Sequence, residues 1–164
     1  MRIIGVDPGP QTSGVVLVSE SSEGRPPRLR MSDPSLSPDA VISAIRSYDV
    51  GLVVCEWLTT YGATVGASVL DTARFVGRCE QAARDCGADV ALMLRPDVCL
   101  ELCQSRRAKK SEVRAALLEI YPATGGGKTP QIGTVRARGP LYGMRSHAWD
   151  ALAVVVAWLR RETA

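Results

Sequence analysis

The chain has 164 residues, a length that fits one compact domain, and its 46% hydrophobic and 23% charged residues exclude an intrinsically disordered protein. The net charge is +3, but Lys and Arg outnumber Asp and Glu by 12 to 6 in residues 95–164, whereas residues 1–94 carry 8 against 11. We predict a single domain over residues 1–164, whose basic C-terminal half favours a polyanionic partner; an ordinary solvated face is the alternative.

The first part of the chain has the pattern of four strands and one helix. Residues 3–6 form an apolar run that ends before Pro8 and Gly9, two residue types that interrupt strands. Ser37 and Pro38 suit the N-cap and first turn of a helix. In chain order, the pattern predicts strands over residues 3–6, 13–19 and 28–31, a helix over 38–48 and a strand over 51–55.

The second part of the chain adds one strand and four helices. Residues 122–145 contain six Gly and three Pro, a composition that predicts a long, mobile loop of functional importance. Ser146 suits the N-cap of a last helix that is apolar on most of its surface. The predicted elements are a helix over 67–86, a strand over 89–94 and helices over 96–104, 109–121 and 148–159. The order predicts an α/β fold, a five-stranded mixed sheet with helices on both faces.

The cysteines and the apolar runs indicate a cytoplasmic protein. The five cysteines are an odd number without a C-x-x-C pair, and Met1 leads into a short apolar run rather than a secretory segment. Cys99 and Cys103 have the spacing of neighbours on one helix face, and His147 is the only histidine, so we expect no zinc site. The longest apolar run, residues 151–159, is far shorter than the ~20 residues that cross a bilayer.

Three carboxylates lie where burial would make a charge costly. Asp7 ends the first strand, Glu56 ends the fourth, and Asp150 lies in the apolar last helix with His147 three residues before it. Burying such a charge is destabilising unless it is paired or binds a cation. If the first and fourth strands are neighbours, their carboxylates reach one sheet edge, where the helix could add its own. This donor set suits Mg²⁺ or Mn²⁺, and two ions about 4 Å apart can bind the attacking and leaving oxygens of a phosphodiester.

Each of these residues also has a simpler explanation. Asp7 precedes Pro8 and Gly9 and could be a turn residue, and Glu56 could be hydrogen-bonded to the loop that follows its strand. Asp150 could face solvent, and His147 could lie in the capping turn without any metal. The three carboxylates would then need three separate explanations, so the pattern favours a shared metal site.

The segment Gly125-Gly126-Gly127-Lys128-Thr129 superficially resembles a phosphate-binding P-loop. The motif needs a glycine at position 122, where this chain has Pro122, and no apolar strand leads into the segment. We therefore expect no nucleotide cofactor.

Five segments together carry a family resemblance that extends over nearly the whole chain. They are residues 5–9 (GVDPG), 53–56 (VVCE), 73–77 (ARFVG), 110–113 (KSEV) and 147–153 (HAWDALA). In these segments the sequence resembles the RuvC-like Holliday-junction resolvases of the RNase H-like superfamily, and it is most similar to their phage-encoded branch. The resemblance implies an RNase H-like fold.

The resemblance also implies a function. Proteins of this family are homodimers that bind four-way or other branched DNA and nick two strands by metal-dependent hydrolysis, leaving 5′-phosphate and 3′-hydroxyl ends. By position, Asp7, Glu56 and Asp150 correspond to ligands of two Mg²⁺ ions, for which Mn²⁺ can substitute. His147 takes the place of a fourth acidic residue, and Lys110 corresponds to a lysine near the scissile phosphate. A phage-encoded member would act in the host cytoplasm.

Basic residues of the C-terminal half are the candidates for DNA contact. Arg106, Arg107, Lys109 and Lys110 form a cluster with the composition of a phosphate-binding segment, although a solvated helix start is the alternative. Family members carry a base-stacking aromatic in the loop after the fourth strand; that offset holds Thr59 here, with Trp57 and Tyr61 nearby. The other candidates are Tyr61 and, in the glycine-rich loop, Lys128, Arg136 and Arg138, followed by Arg145 near His147.

Other functions use the same residues. A less selective nuclease acting on flaps, forks or RNA–DNA hybrids would need the same carboxylates, and a catalytically silent DNA-binding protein would show no metal-dependent nicking. An actin-like nucleotide-binding module also has an Asp and a glycine turn after its first strand. Such a module needs a second lobe, for which this chain is too short.

Overall fold

The fold is described by a computed structural model that covers residues 1–22, 24–59, 62 and 64–163. Its strands and helices agree with the predicted order of elements. They are β1 (Arg2–Asp7), β2 (Ser13–Ser19), β3 (Arg28–Leu36), α1 (Pro38–Ser47), β4 (Leu52–Trp57), α2 (Ala67–Asp85), β5 (Asp89–Leu94), α3 (Arg95–Cys103), α4 (Lys110–Ile120) and α5 (Ala148–Thr163).

The five strands form one mixed sheet in the order β3-β2-β1-β4-β5. β1 pairs antiparallel with β2, which pairs antiparallel with β3, whereas β1, β4 and β5 run parallel. The predicted neighbourhood of the first and fourth strands is therefore confirmed. Val6 lies opposite Cys55 in the β1–β4 register, so the residues that follow them, Asp7 and Glu56, reach the same edge of the sheet.

Helices cover both faces of the sheet, as predicted. One apolar core lies between the sheet and α1 and α2, and it includes Ile4, Val6 and Cys55. The second core lies between the opposite face and α3, α4 and α5, and it includes Ile3 and Val54. Successive side chains of a strand point to opposite faces of the sheet. Val6 and Cys55 face α1 and α2, so the next residues, Asp7 and Glu56, face α5.

Two glycines let α5 approach the sheet closely. A Cβ on Gly5 of β1 would collide with the carbonyl oxygen of Ala151 and the side chain of Val155, and a Cβ on Gly14 of β2 would collide with the backbone of His147. These glycines are therefore required by space rather than by backbone conformation. They fix the height of the first turn of α5 above the sheet.

Two predictions about local structure were wrong. β3 extends to Leu36 rather than residue 31, and it tolerates Pro34 because it is an edge strand whose pairing with β2 is irregular. Ser146 does not occupy the N-cap position, because α5 begins at Ala148 and His147 is the residue before it. Ser146 instead has φ 39°, a left-handed conformation in the turn that leads into the helix.

The predicted loop over residues 122–145 contains no helix or strand, but its backbone is hydrogen-bonded to itself. Gly125 N–H donates to Pro130, Gly126 N–H to Ala137, and Leu141 N–H to Gln131, at 2.8–2.9 Å. A Cβ on Gly125, Gly133 or Gly139 would meet backbone atoms of the same loop, and this packing accounts for the glycine content. None of the described helices is long and apolar enough to span a bilayer.

Candidate active site

Three elements bring the predicted acidic residues together at the carboxyl edge of the parallel strands. Asp7 and Glu56 end β1 and β4, and Asp150 lies in the first turn of α5. Asp150 is buried although it is charged, and it sits where the helix dipole favours a negative charge. His147 immediately precedes the helix, so the close approach of α5 to β2 at Gly14 also positions the imidazole.

Asp7, His147 and Asp150 form the group that could hold a cation. The imidazole Nδ1–H of His147 donates to Asp7 Oδ2 at 2.8 Å. One ligand atom from each of the three residues lies within 4.8 Å of the other two, and no other group of three His, Cys, Asp or Glu in the described chain does so. The five cysteines are free thiols, and none contributes to such a group.

Glu56 lies beside this group rather than in it. Among the described residues its nearest charged partner is Arg95, whose Nη1 lies 3.6 Å from Glu56 Oε2, and that buried oxygen accepts no hydrogen bond from them. The pKa of the Glu56 carboxyl is raised to about 7, chiefly by burial and then by the charge of Asp7, while Arg95 opposes the shift. The pKa of Asp7 is also raised, first by burial, against the lowering effect of its hydrogen bond from His147.

Two cations pair with Asp150. Arg95 Nη1 donates to Asp150 Oδ1 at 2.8 Å, and Lys110 Nζ donates to Asp150 Oδ2 at 2.7 Å. Lys110 was predicted for this region and is 69% exposed, whereas Arg95 was missed and is 21% exposed. The sequence did indicate that Arg95 lies near the site. Arg95 directly follows β5, and the carboxyl end of this parallel strand reaches the same edge of the sheet as those of β1 and β4.

The residues present fit a divalent cation of the Mg²⁺ or Mn²⁺ type. The donor set consists of carboxylate oxygens and one imidazole, which both ions accept. The orphaned oxygen of Glu56 is an additional buried acceptor at the same edge. A bound cation would satisfy that acceptor and offset the repulsion by Asp150 at Asp7 and by Asp7 at Glu56, which adds to burial in raising the two pKa values.

The predicted basic residues are mostly exposed, and some have partners within the protein. Arg106 Nη1 donates to Asp97 at 2.8 Å, and the Arg138 guanidinium lies 4.6 Å from the centre of the Tyr142 ring. Lys109 is the N-cap residue of α4. Arg107, Lys128, Arg136 and Arg145 are exposed. Tyr61 lies outside the described residues, and Trp57 packs against the α1–α2 core.

A groove runs beside Asp150 between α4 and the start of α5. It has a volume of about 380 Å³ and includes Lys110, Ser111, Arg114 and Trp149 in its lining. The Arg114 guanidinium lies 4.7 Å from the centre of the Trp149 ring. Arg114 was not predicted from the sequence, although its position one turn after Lys110 places both cations on one helix face.

Gly14→Ala tests the contact that positions His147. We expect this variant to be less stable by about 1–3 kcal/mol, because the added Cβ would collide with the His147 backbone and force α5 away from β2. Urea unfolding followed by circular dichroism measures the effect.

Gly77→Ala is the matched control for that change. Gly77 lies on the exposed side of α2, and no atom of the described residues lies within 4 Å of an added Cβ. The control should be more stable than the wild type by about 0.5–1 kcal/mol. A Gly14→Ala variant as stable as the wild type would contradict the close packing of α5 on β2.

Comparison with solved structures identifies the class of fold. The chain has the RNase H-like α/β fold of RuvC-like Holliday-junction resolvases, and the predicted fold class is confirmed. No family model and no curated protein matches the sequence.

Three solved structures illustrate the similarity. Thermus thermophilus RuvC matches with a TM-score of 0.72 and 20% identity over 99% of this chain and 96% of RuvC. T. thermophilus RuvC in complex with a Holliday junction substrate matches with a TM-score of 0.71 and 20% identity, covering 100% and 98% of the two chains. The fowlpox virus Holliday junction resolvase gives a TM-score of 0.61 and 9% identity over 99% of each chain.

Proposed function

We propose that this protein is a metal-dependent endonuclease that resolves Holliday junctions or other branched DNA by paired phosphodiester nicks. The observation that carries the proposal is the cluster of Asp7, His147 and Asp150 at the carboxyl edge of a RuvC-like sheet. Of the similar proteins, T. thermophilus RuvC has been solved in complex with a Holliday junction substrate, and the fowlpox virus protein is a Holliday junction resolvase. The basic C-terminal half supports a polyanionic substrate.

The carboxylates would hold two divalent ions, Mg²⁺ with Mn²⁺ as a substitute. When bound, such ions supply Lewis-acid stabilisation of the charge that develops on the phosphate and lower the pKa of a nearby water. Asp7 would contribute to both ions, with Asp150 completing one site and Glu56 the other. His147 would either bind an ion or orient the attacking water. In both cases the hydrogen bond between its Nδ1 and Asp7 would fix the orientation of the ring.

Lys110 would place a positive charge beside the scissile phosphate. Its ammonium is 2.7 Å from Asp150 while the side chain is 69% exposed, so Lys110 can contact a substrate without leaving the site. It also lines the groove that contains Arg114, which offers a second cation to the same strand of DNA. These charges would stabilise the transition state through electrostatics rather than through proton transfer.

Paired nicks require two active sites, so we infer a homodimer as the working form. A symmetric dimer with one site per protomer matches the two-fold symmetry of a four-way junction. Nicks placed symmetrically across the junction would support this inference.

The proposal is tested with end-labelled synthetic four-way junction, fork, flap and RNA–DNA hybrid substrates. We expect symmetric paired nicks in the four-way junction with Mg²⁺ or Mn²⁺ and none with EDTA. Equal cleavage of hybrids and flaps would favour the less selective nuclease. Binding without nicking under any divalent ion would favour the catalytically silent DNA-binding protein and overturn the proposal.

Arg107→Gln tests the proposed DNA contact of the exposed basic cluster. We expect weaker junction binding and a salt dependence of log K shallower by about one, because one phosphate contact and its counterion release are lost. Fluorescence anisotropy at several salt concentrations measures this slope. Arg46→Gln is the control, since Arg46 is exposed on α1, a helix of the opposite face; an equal change of slope in both variants would contradict the proposed contact.

A further inference from the structure

One guanidinium lies between two carboxylates of the candidate active site. We propose that Arg95 is a positioning residue whose guanidinium holds Glu56 and Asp150 together and must leave before a second divalent ion binds beside Glu56. The inference rests on the proposed function, because it concerns the metal occupancy of the same site.

The geometry assigns Arg95 the place of a bridging cation. A single atom, Arg95 Nη1, lies 2.8 Å from Asp150 Oδ1 and 3.6 Å from Glu56 Oε2, so it links a carboxylate of α5 to one of β4. A Mg²⁺ ion binds carboxylate oxygens at about 2.0–2.1 Å. An ion bound beside Glu56 would therefore have to share Glu56 Oε2 with the Arg95 guanidinium, whose Nη1 lies 3.6 Å from that oxygen.

The balance of charges in the site also indicates that Arg95 opposes binding of a second ion. In the part of the chain that the structure describes, the carboxylates of Asp7, Glu56 and Asp150 face the cations Arg95 and Lys110. When all five are ionised and His147 is neutral, the site has one net negative charge. Binding of one divalent ion gives the site a net positive charge, and a second ion would increase that positive charge. Repulsion therefore opposes the second ion until Arg95 moves away or a DNA phosphate adds negative charge.

The start of α3 holds Arg95 in this place. Arg95 is the first residue of α3, directly after β5, and Pro96 follows it at the helix start. The side chain is only 21% exposed, and its Nη1 lies 2.8 Å from Asp150 Oδ1. The Arg95 guanidinium would keep the three carboxylates close together when no metal is bound. It would favour binding of both ions only when substrate is present.

Titration calorimetry with Mn²⁺ and the full chain, without DNA, tests the inference. We expect the wild type to bind one ion well and a second ion weakly. Arg95→Met should bind the second ion at least about tenfold more tightly, because it lacks the competing charge. Arg95→Lys should restore wild-type binding, which a purely structural role of the guanidinium would not predict.

Arg78→Met is the matched control, because Arg78 also forms an ion pair with an aspartate, Asp39, but on the opposite face of the sheet. It should bind Mn²⁺ as the wild type does. If Arg95→Met does not fold, judged by circular dichroism, Arg95→Gln takes its place with the same expected result. Unchanged binding of the second ion in the neutral variant would overturn the inference.

Failure of this inference and failure of the proposed function are distinguishable. Tighter binding of the second ion by Arg95→Met, without nicking of any branched DNA by the wild type, would support the role of Arg95 and overturn the nuclease proposal. Metal-dependent nicking by the wild type with equal Mn²⁺ binding by both proteins would overturn only the role of Arg95.

Discussion

Asp7→Asn is expected to reduce junction nicking by about a thousandfold or more while junction binding changes little. Asp7 is the carboxylate that contacts His147 and would contribute to both ions, so its loss removes the centre of the site. The amide keeps the size of the side chain and removes only its charge. Single-turnover nicking of a labelled junction and anisotropy of the same DNA measure the two quantities.

Asp39→Asn is the control for this variant. Asp39 is an exposed aspartate of α1 that pairs with Arg78, so its loss should leave nicking unchanged. Nicking by Asp7→Asn within tenfold of the wild type would contradict the assignment of Asp7. A parallel loss of DNA binding would indicate that the carboxylate supports the fold rather than the reaction.

Glu56→Gln is expected to abolish most nicking and, in the absence of metal, to make the protein more stable at pH 8. The native carboxyl has a pKa of about 7 against an ordinary value of 4.5, chiefly because of burial. Between these values the native state keeps a proton that the unfolded state has released, so the wild type loses stability as pH rises through this window. Glutamine does not titrate and avoids this loss, which is on the order of 1–3 kcal/mol.

The measurement is urea unfolding with EDTA at several pH values. The stability difference between Glu56→Gln and the wild type should grow from pH 4.5 to pH 7 and then stay constant. Glu80→Gln, which removes a carboxylate of α2 that pairs with Arg84, should show no such trend. A difference that is independent of pH would contradict the raised pKa of Glu56.

Much of the fold was predictable because the apolar pattern fixes which elements exist and which side they bury. Strands that end in Asp7 and Glu56 and an apolar helix that contains Asp150 were sufficient to place three carboxylates at one edge, and the β1–β4 pairing confirms this part. The grouping of His147 with Asp7 and Asp150 was also anticipated from helix geometry. Their roles in catalysis remain predictions.

The remaining features depend on contacts between distant segments. The position of Arg95 after β5 indicates which edge of the sheet it reaches, but the two carboxylates that flank it come from β4 and α5 and are known only from the packing of these elements. The C-terminal part of β3 was missed because Asp33 and Pro34 disfavour strands, and only the edge position tolerates them. The glycines at positions 5 and 14 belong to ordinary strand patterns until the height of α5 is known.

The internal hydrogen bonds of the loop over residues 122–145 have a consequence for recognition. A glycine-rich segment of this length would ordinarily lose much conformational entropy when it closes on a ligand. Here that loss has already occurred during folding, because backbone contacts at Gly125, Gly133 and Gly139 set the path of the chain. If its cations meet DNA, they would do so from a preorganised surface, with fast association and a small heat-capacity change.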